Sequence, residues 1–177
     1  MTATPDLPPG LAKRPVDPKR GLPIPVMNMP PGDSDPAHAD FTGIHAQSVY
    51  DSATHRRCGI CGEPLGYWFA FIGGPKSFEN RAYVDPPFCE PCAEASLRLC
   101  PHMAIPRHQR APEHRLAEDT YTPDGFDEAK PEAIIIGITR GFDLKPDGSG
   151  GFYFKAAPFK RSRIFRYVDD VLTEVPQ

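Results

Sequence analysis

Residues 58–103 read CGICGEPLGYWFAFIGGPKSFENRAYVDPPFCEPCAEASLRLCPHM, and they contain two Cys-x-x-Cys pairs. The first pair is Cys58 and Cys61, and the second is Cys89 and Cys92. Two thiolates at this spacing bind one metal ion together, because the tight turn between them directs both sulfurs inward. Two such pairs complete the tetrahedral set of four cysteines that structural zinc prefers. The spacing therefore predicts a Zn²⁺ site made by these four residues.

Between the two cysteine pairs the sequence predicts a β-hairpin. Gly62 follows the first pair and suits a tight turn that needs a positive φ. Residues 67–72 read YWFAFI, an aromatic run that is typical of a strand. Gly-Gly-Pro at 73–75 is typical of a turn. Residues 81–84 are then expected to return as the second strand of the hairpin.

The second cysteine pair is predicted to open a helix. Residues 89–100 have a helical composition, Pro91 occupies the first turn, and Pro101 ends the segment. A knuckle, a hairpin and a helix whose first turn supplies two ligands follow one another in a treble-clef zinc finger. We therefore predict that residues 58–103 form a treble clef around Zn²⁺.

Three other uses of the cysteines are the alternatives to zinc. A thioredoxin-like redox pair needs one Cys-x-x-Cys in a βαβ setting, disulfides suit a secreted chain, and rubredoxin-like iron sites use two similar knuckles. Zinc is favoured because the second pair opens a helix and because the cysteine count, five, is odd. Four thiolates saturate a tetrahedral ion, so the metal is expected to stabilise the fold and not to catalyse a reaction.

Three residues near the pairs are rival ligands or neighbours of the metal. Cys100 lies eight residues beyond Cys92, which is about 12 Å along a helix axis and too far for both to bind one ion. We expect Cys100 to be a small buried residue under the hairpin and His102 to cap the end of the helix. His55, three residues before the first pair, is a candidate hydrogen-bond donor to a thiolate, and the alternative, which is the more common case, is a simply exposed histidine.

Composition and charge narrow the class of protein. The 177 residues carry a net charge of −3 and include 23 prolines, so we expect one loop-rich domain without an obligate polyanionic partner. No stretch is long and apolar enough to span a membrane, and the first 14 residues lack the apolar core of a secretory signal. Cysteines at metal-binding spacing fit a reducing compartment. A cytoplasmic location and no membrane partner are therefore predicted.

Residues 1–40 are expected to form an extended, Pro-rich N-terminal arm. Two basic doublets lie in the arm, and the second, Lys19 and Arg20, is a candidate contact for an acidic or phosphate-bearing partner. The alternatives are a solvated tail, or an arm that lies across the protein's own sheet through four apolar residues. These apolar residues are Leu22, Ile24, Val26 and Met27.

Residues 41–177 are predicted to form a single zinc-stabilised α+β domain. In it the treble clef at 58–103 packs on a small, mostly antiparallel β-sheet at 133–167. The segments expected in the sheet are strands at 133–139, 152–155 and 163–167 and a hairpin loop at 145–151. The run at 133–139 is apolar on both faces and is therefore expected to be a central strand.

The segments before, between and after these parts are expected to be a short helix, a loop and a frayed end. Residues 41–57 space their apolar side chains at near-helical intervals and are expected to form a short helix before the first knuckle. Residues 101–132 alternate charge with proline and are expected to be a solvated loop, with a short helix at 112–118. The chain after Val168 is expected to be a frayed end.

Five cations gather in the last predicted strands. No acidic residue lies between Phe152 and Tyr167, and aromatic residues interleave with the cations. Cations for phosphates and aromatic faces for bases are typical of a platform for single-stranded nucleic acid. Because the two types alternate, they are expected on opposite faces of the strands, with the rings in the core. The candidate contacts for nucleic acid or another partner are Lys155, Lys160, Arg161, Arg163 and Arg166.

Short blocks of residues carry a resemblance to a known group of proteins. The blocks are 17–23, 71–75, Arg81, 85–87, 92–93, 100–101, 139–141 and 157–158. With them the chain resembles small uncharacterised treble-clef zinc proteins of actinobacteria and their phages, some of which are labelled cell-envelope biogenesis proteins. In that group the position of Cys89 can be His, which also binds zinc. The resemblance implies metal binding and brings no activity with it.

The function predicted from these features is a non-catalytic zinc-binding module that docks a protein or nucleic-acid partner. Two alternatives belong to other classes. A treble-clef metal-dependent nuclease of the His-Asn-His kind places a general-base His after the first knuckle, but residues 62–88 contain no His, and their one Asn is Asn80. A regulatory factor encoded by a phage or other mobile element is suggested by the resemblance alone.

Overall fold

The structure, a computed structural model, describes residues 6–106 and 130–176. These residues form short helices and seven strands in two antiparallel sheets, which confirms the expected α+β class. The helices are α1 (Pro9–Ala12), α2 (Ala46–Thr54), α3 (Pro75–Asn80), α4 (Glu90–Leu99) and α5 (Pro101–Ala104). The strands are β1 (Phe69–Gly73), β2 (Ala82–Tyr83), β3 (Ile134–Thr139), β4 (Phe142–Pro146), β5 (Phe152–Ala156), β6 (Arg161–Val168) and β7 (Val171–Val175).

The connecting loop and the lengths of the helices can be compared with the sequence predictions only in the described residues. Most of the loop expected at 101–132, including the short helix expected at 112–118, lies outside the described residues. Within residues 6–106 and 130–176, no helix has the length and hydrophobicity that crossing a bilayer requires.

The larger sheet has the strand order β1-β3-β6-β7. All six residues of its inner strand β3 are buried, and four of them are isoleucine. A strand that is apolar on both faces needs cover on both sides, so the prediction of a central strand at 133–139 is confirmed. Helix α4 covers the face of β3 that carries Ile134, Ile136 and Ile138.

The smaller sheet has the strand order β2-β5-β4, and β4 and β5 form a hairpin. The hairpin loop predicted at 145–151 is present. Asp147 closes it, because its carboxylate accepts hydrogen bonds from the backbone N–H groups of Ser149 and Gly151, both at 2.9 Å. The strand β4 was not predicted, because its five residues include only two large apolar side chains, Phe142 and Leu144, which alternate with charged ones.

The hairpin predicted at 67–84 does not form. β1 pairs with β3 in the larger sheet, whereas β2 pairs with β5 in the smaller one. Pro75, whose fixed φ suits the first turn of a helix, starts α3, and Arg81 ends it in the left-handed conformation with φ 51°. The second edge of β1 bonds to the segment before the second cysteine pair instead. There Ala70 and Phe88 exchange backbone hydrogen bonds of 2.8 and 2.9 Å.

β1 separates two hydrophobic cores, because alternate side chains of a strand point to opposite faces. Ala70 and Ile72 belong to an aliphatic core that also contains the cysteine pairs, residues of α4 and the isoleucines of β3. Phe69 and Phe71 belong to an aromatic core that contains residues of α2 and of the smaller sheet. In the aromatic core Phe71 stacks on Tyr83, with ring centroids 4.8 Å apart. Burial on both faces explains why this stretch reads as a continuous apolar run.

The C-terminal segment forms a strand and is not the frayed end that the sequence predicts. Asp169 and Asp170 both have positive φ, 48° and 63°, as the two central residues of a type I′ hairpin turn require. They let the chain reverse between β6 and β7, and Val168 pairs with Val171 across the turn. The charged pair that suggests a solvated tail is therefore the turn of a β-hairpin.

Replacement of Gly137 in β3 is predicted to destabilise the fold. Phe159 stacks face to face on Phe78, with centroids 4.8 Å apart, and a Cβ at position 137 would lie 2.6 Å from the Phe159 ring. Gly137→Ala is expected to lower the free energy of unfolding by about 1–3 kcal/mol, because the ring has to move out of a packed position. Urea unfolding followed by circular dichroism measures this change.

Gly141→Ala is the matched control for this prediction. A Cβ at position 141 would meet only Ala157 within 4 Å, at an ordinary contact distance of 3.4 Å. Its stability is expected to stay within about 1 kcal/mol of the parent, or to rise slightly because alanine restricts the unfolded chain. An equal loss of stability in both variants would contradict the tight packing of Phe159 on Gly137.

Candidate metal centre

The two cysteine pairs converge on one small volume. Within residues 6–106 and 130–176, Cys58, Cys61, Cys89 and Cys92 form the one group of His, Cys, Asp or Glu side chains that is placed to hold a metal ion. Their four Sγ atoms lie within 4.8 Å of one another, and those of Cys61 and Cys89 are 3.9 Å apart. A tetrahedral ion with metal–sulfur bonds of about 2.3 Å separates its ligands by about 3.8 Å. The donor set and the spacing therefore fit a four-coordinate metal.

The first knuckle is a tight reversal of the backbone around Cys58. The N–H of Cys58 donates to the carbonyl of Glu63 at 2.9 Å, and the N–H of Gly62 donates back to the carbonyl of Cys58 at 2.8 Å. Gly62 has φ +78°, so the positive φ predicted for this position is confirmed. The guanidinium of Arg57 holds the turn from outside by donating to the carbonyl of Gly62 at 2.9 Å.

The second knuckle is the start of helix α4. Cys89 is the N-cap residue and Cys92 lies in the first turn, so the prediction that the helix begins at the second pair is confirmed. Both sulfurs therefore lie at the positive end of the helix dipole, where negative charge is stabilised. The backbone N–H of Cys89 also donates to the Sγ of Cys58 at 3.3 Å, which links the two knuckles and orients a ligand atom.

The four thiols cannot all ionise without a cation. Hydrogen bonding from the neighbouring thiols, first that of Cys61, holds the pKa of Cys58 far below its usual range. The interaction with Cys58 in turn raises the pKa of Cys89 and that of Cys92 well above theirs, because a second thiolate beside the first is disfavoured. A divalent cation removes this conflict, since a metal-bound thiol is deprotonated. The electrostatics of the cluster therefore favour a bound metal.

The described part of the N-terminal arm, residues 6–40, packs on the first knuckle. Val26 and Met27 donate backbone hydrogen bonds to the carbonyls of Ile60 and Gly59, both at 2.9 Å. Ile24 is completely buried. Two of the four apolar residues that the sequence offers for a contact with the sheet, Val26 and Met27, are therefore bonded to the first knuckle, whereas Leu22 and Ile24 bond to residues 15–17 within the arm.

Helix α1 of the arm reaches the cysteines directly. A Cβ at Gly10 would lie 3.2 Å from the Sγ of Cys61, so the backbone comes this close only because the residue has no side chain. Leu11, 3% exposed, is part of the core that contains the cysteine pairs. The pKa of Arg14 is lowered by burial, and the nearby Cys61 partly opposes this shift. The Nε of Arg14 donates to the carbonyl of Ile24 at 2.9 Å. The arm therefore places a cation beside a cluster of thiolates.

Sequence reasoning missed Gly10, Leu11 and Arg14. The signal that could have found them is the placement of single apolar residues, Leu7 and Leu11, in a segment otherwise rich in proline and charge. Both leucines pack in the core that contains the cysteine pairs. In a solvated tail these leucines would be exposed to water without any packing partner.

The other residues that the sequence placed near the metal do not join it. Cys100 lies outside the cluster, as its distance along the helix predicts, and it is half-buried at the junction of α4 and α5. The sequence predicts that Cys100 is fully buried under the hairpin at 67–84, but that hairpin does not form. His55 is exposed, as the more common of the two alternatives has it, and its Nδ1 lies 2.9 Å from the carbonyl oxygen of Asp51. His102 lies in α5, two residues beyond the C-cap residue of α4, and is outside the cysteine cluster.

Two of the candidate contact cations on β6 are paired with acids of this chain. Arg161 contacts Glu90 of α4 at 2.6 Å. Arg163 pairs with Glu94 of α4 and with Glu174 of β7, the latter at 2.8 Å. These pairs fasten α4 and β7 to β6, so Arg163 is committed to the fold.

The remaining candidate contacts differ in whether they bond to other residues of this chain. Lys155 donates to the carbonyl of Asn80 at 2.6 Å, whereas Lys160 and Arg166 are exposed. In the arm, Arg20 pairs with Asp17 at 3.2 Å and Lys19 is exposed.

The aromatic residues of this region are only partly where the sequence predicts them. Phe154 and Phe165 are buried, as expected. However, Arg163 and Phe165 are two residues apart and share one face of β6, and the guanidinium carbon lies 5.3 Å from the ring centroid. The expectation that rings and cations occupy opposite faces is therefore wrong for this pair.

Comparisons with protein-family models, curated proteins and solved structures give no match to this chain. The resemblance to zinc proteins of actinobacteria and their phages therefore stays a prediction.

The contact of α1 with the metal centre predicts that Leu11 matters for stability. Leu11→Ala is expected to lower the free energy of unfolding of the metal-loaded protein by about 2–5 kcal/mol, because it leaves a cavity in the core that contains the cysteine pairs. It is also expected to speed the transfer of metal to a competing chelator. Urea unfolding and a colorimetric chelator assay measure the two effects.

Lys13→Ala is the control from the same turn of the arm. Lys13 pairs with Glu63 at 3.1 Å, but both side chains are at least half exposed, so the loss is expected to be at most about 1 kcal/mol. If Leu11→Ala were as stable as Lys13→Ala, the packing of the arm on the metal centre would be refuted.

Proposed function

We propose that this chain is a non-catalytic zinc-binding module, in which the metal holds the fold together and the surface docks a protein or nucleic-acid partner. The observation that supports this proposal is the convergence of four cysteine sulfurs within 4.8 Å. Catalytic zinc sites keep a coordination position open for water or substrate, whereas four thiolates fill a tetrahedral ion. The metal in this proposal is therefore structural.

Zinc is the metal that the donor set supports best. Four thiolates in a tetrahedron are typical ligands of structural zinc. A rubredoxin-like iron site uses two similar knuckles, but here the second pair lies at the start of α4 and the first in a loop. A loop knuckle and a helix start are also the ligand-bearing parts of a treble clef, which we propose in a variant form. In it β1, α3 and β2 stand where the hairpin was expected.

A structural role also fits the elements that meet at the cysteines. The arm, the first knuckle and α4 are distant in sequence, and none of them contains an extensive core of its own. A metal ion bound to Cys58, Cys61, Cys89 and Cys92 would join the first knuckle to the helix and give the arm a rigid surface on which to pack. Thiolate ligands persist in reducing conditions, and we accordingly propose a cytoplasmic location.

Removal of the metal is predicted to unfold the protein. Cys58→Ser, or an excess of chelator, is expected to abolish cooperative thermal unfolding, because binding of the ion and folding are coupled. Native mass spectrometry is expected to show one zinc ion per chain in the parent and none in the variant. Circular dichroism melting of the same samples reports the loss of structure.

Cys100→Ser is the matched control, since it changes a cysteine outside the cluster. It is expected to retain the zinc ion and to lose only packing energy, about 1–3 kcal/mol. Cooperative melting of the chelated parent at an unchanged temperature would refute the proposed structural role. Metal-dependent cleavage of nucleic acid would instead favour the nuclease alternative.

A further inference from the structure

One end of the larger sheet carries two exposed aromatic rings. Tyr67 and Trp68 immediately precede β1 and are 64% and 37% exposed. Their rings meet edge to face, with centroids 5.1 Å apart. The next two residues of the run, Phe69 and Ala70, are completely buried. The chain therefore exposes two large amphipathic rings at the point where the strand begins.

The register of the sheet brings three cations to the same end. Phe69 pairs with Thr139 across β1 and β3, so Arg140 follows β3 beside the aromatic pair. Arg161 pairs with Ile138 across β3 and β6, and the N–H of Lys160 donates to the carbonyl of Ile138 at 2.8 Å. Neighbouring strands lie about 5 Å apart. The sheet therefore aligns rings and cations that are far apart in the sequence.

We call this surface the aromatic end, defined by Tyr67, Trp68, Arg140, Lys160 and Arg161. Within it, Arg140 donates a hydrogen bond to the hydroxyl of Tyr67 at 2.9 Å, which orients the ring. Glu90 adds one carboxylate to the same end and pairs with Arg161.

The charge of the aromatic end differs in sign from that of the whole chain. Among residues 6–106 and 130–176, the strand register and the ion pair bring three cations and the carboxylate of Glu90 to this end, although the whole chain carries a net charge of −3. Lys160 and Arg140 are exposed. A locally positive surface on an acidic protein favours an anionic partner at that surface.

We propose that the aromatic end binds single-stranded nucleic acid. Unpaired bases would stack on Tyr67 and Trp68, and Arg140 and Lys160 would contact the phosphates, which is the combination that single-strand platforms use. A duplex hides the faces of its bases, and an acidic peptide would use the cations without needing the rings. The inference rests on the proposed function for the docking role and narrows its partner to one class.

The test uses Trp68, which is the one tryptophan of the chain. The zinc-loaded, full-length protein is titrated with a short oligothymidylate while the tryptophan emission is recorded. Stacking of a base on the indole is expected to quench this emission in a saturable way. The apparent affinity is expected to fall as salt is raised, because phosphate contacts release counterions.

Two pairs of variants separate ring contacts from charge contacts. Tyr67→Ala keeps the reporter and is expected to weaken binding by roughly fivefold to a hundredfold, whereas Tyr50→Ala, at another exposed tyrosine, is expected to leave the affinity unchanged. Lys160→Ala is expected to reduce the slope of log affinity against log salt by about 0.7. Arg166→Ala, towards the opposite end of β6, is expected to leave that slope unchanged.

The outcomes distinguish this inference from the proposed function. If the zinc-loaded, folded protein shows no quenching, or if Tyr67→Ala binds like the parent, the inference is overturned and the docking role passes to a protein partner. Equal binding of duplex DNA, or displacement of the oligonucleotide by an acidic peptide at equal charge concentration, also overturns it. Native mass spectrometry of the same sample tests the metal separately, because binding by a folded chain without zinc would uphold the aromatic end and overturn the proposed function.

Discussion

The mutual repulsion of thiolates in one small volume is the constraint on which the rest of this structure depends. Cys58, Cys61, Cys89 and Cys92 bring their sulfurs within 4.8 Å of one another, in surroundings that are largely sealed from water. Desolvation and like charge both oppose ionisation there. A divalent ion makes ionisation of all four thiols favourable. Smaller positive potentials come from the N-terminus of α4, the backbone N–H of Cys89 and the nearby Arg14. The arm, the first knuckle and the start of α4 all meet at this cluster.

The parts that the sequence predicted correctly are those encoded by short-range patterns. The Cys-x-x-Cys spacing identified all four members of the cluster, and Gly62 marked the positive φ of the first knuckle. The isoleucine run predicted a central strand, and residues 145–151 predicted a hairpin loop. In each case a few neighbouring residues specify the local geometry, so no knowledge of the partner element is needed.

The parts that could not be predicted depend on pairing between distant segments. Alternation of side chains shows that β1 is buried on both faces, but it does not say that β3, some 65 residues later, is its partner. The same limit applies to the ion pairs of Arg163, whose acids come from α4 and β7. It also applies to the arm, because Leu11 is buried in the core that contains the cysteine pairs and Val26 bonds to the first knuckle. A Pro-rich composition describes an isolated segment and not one that meets a preformed surface.

The position of β1 between the aliphatic and aromatic cores has a consequence for errors in assembly. Because successive side chains face opposite ways, a slip of one residue against β3 would drive Phe69 and Phe71 toward the cysteines and Ala70 and Ile72 toward the aromatic rings. The aromatic rings would have to displace side chains of the aliphatic core, and Ala70 and Ile72 would leave part of the space of two phenylalanine rings unfilled. The alternation of residues along β1 therefore makes a one-residue slip unfavourable in both cores at once, so the register with β3 is specified twice.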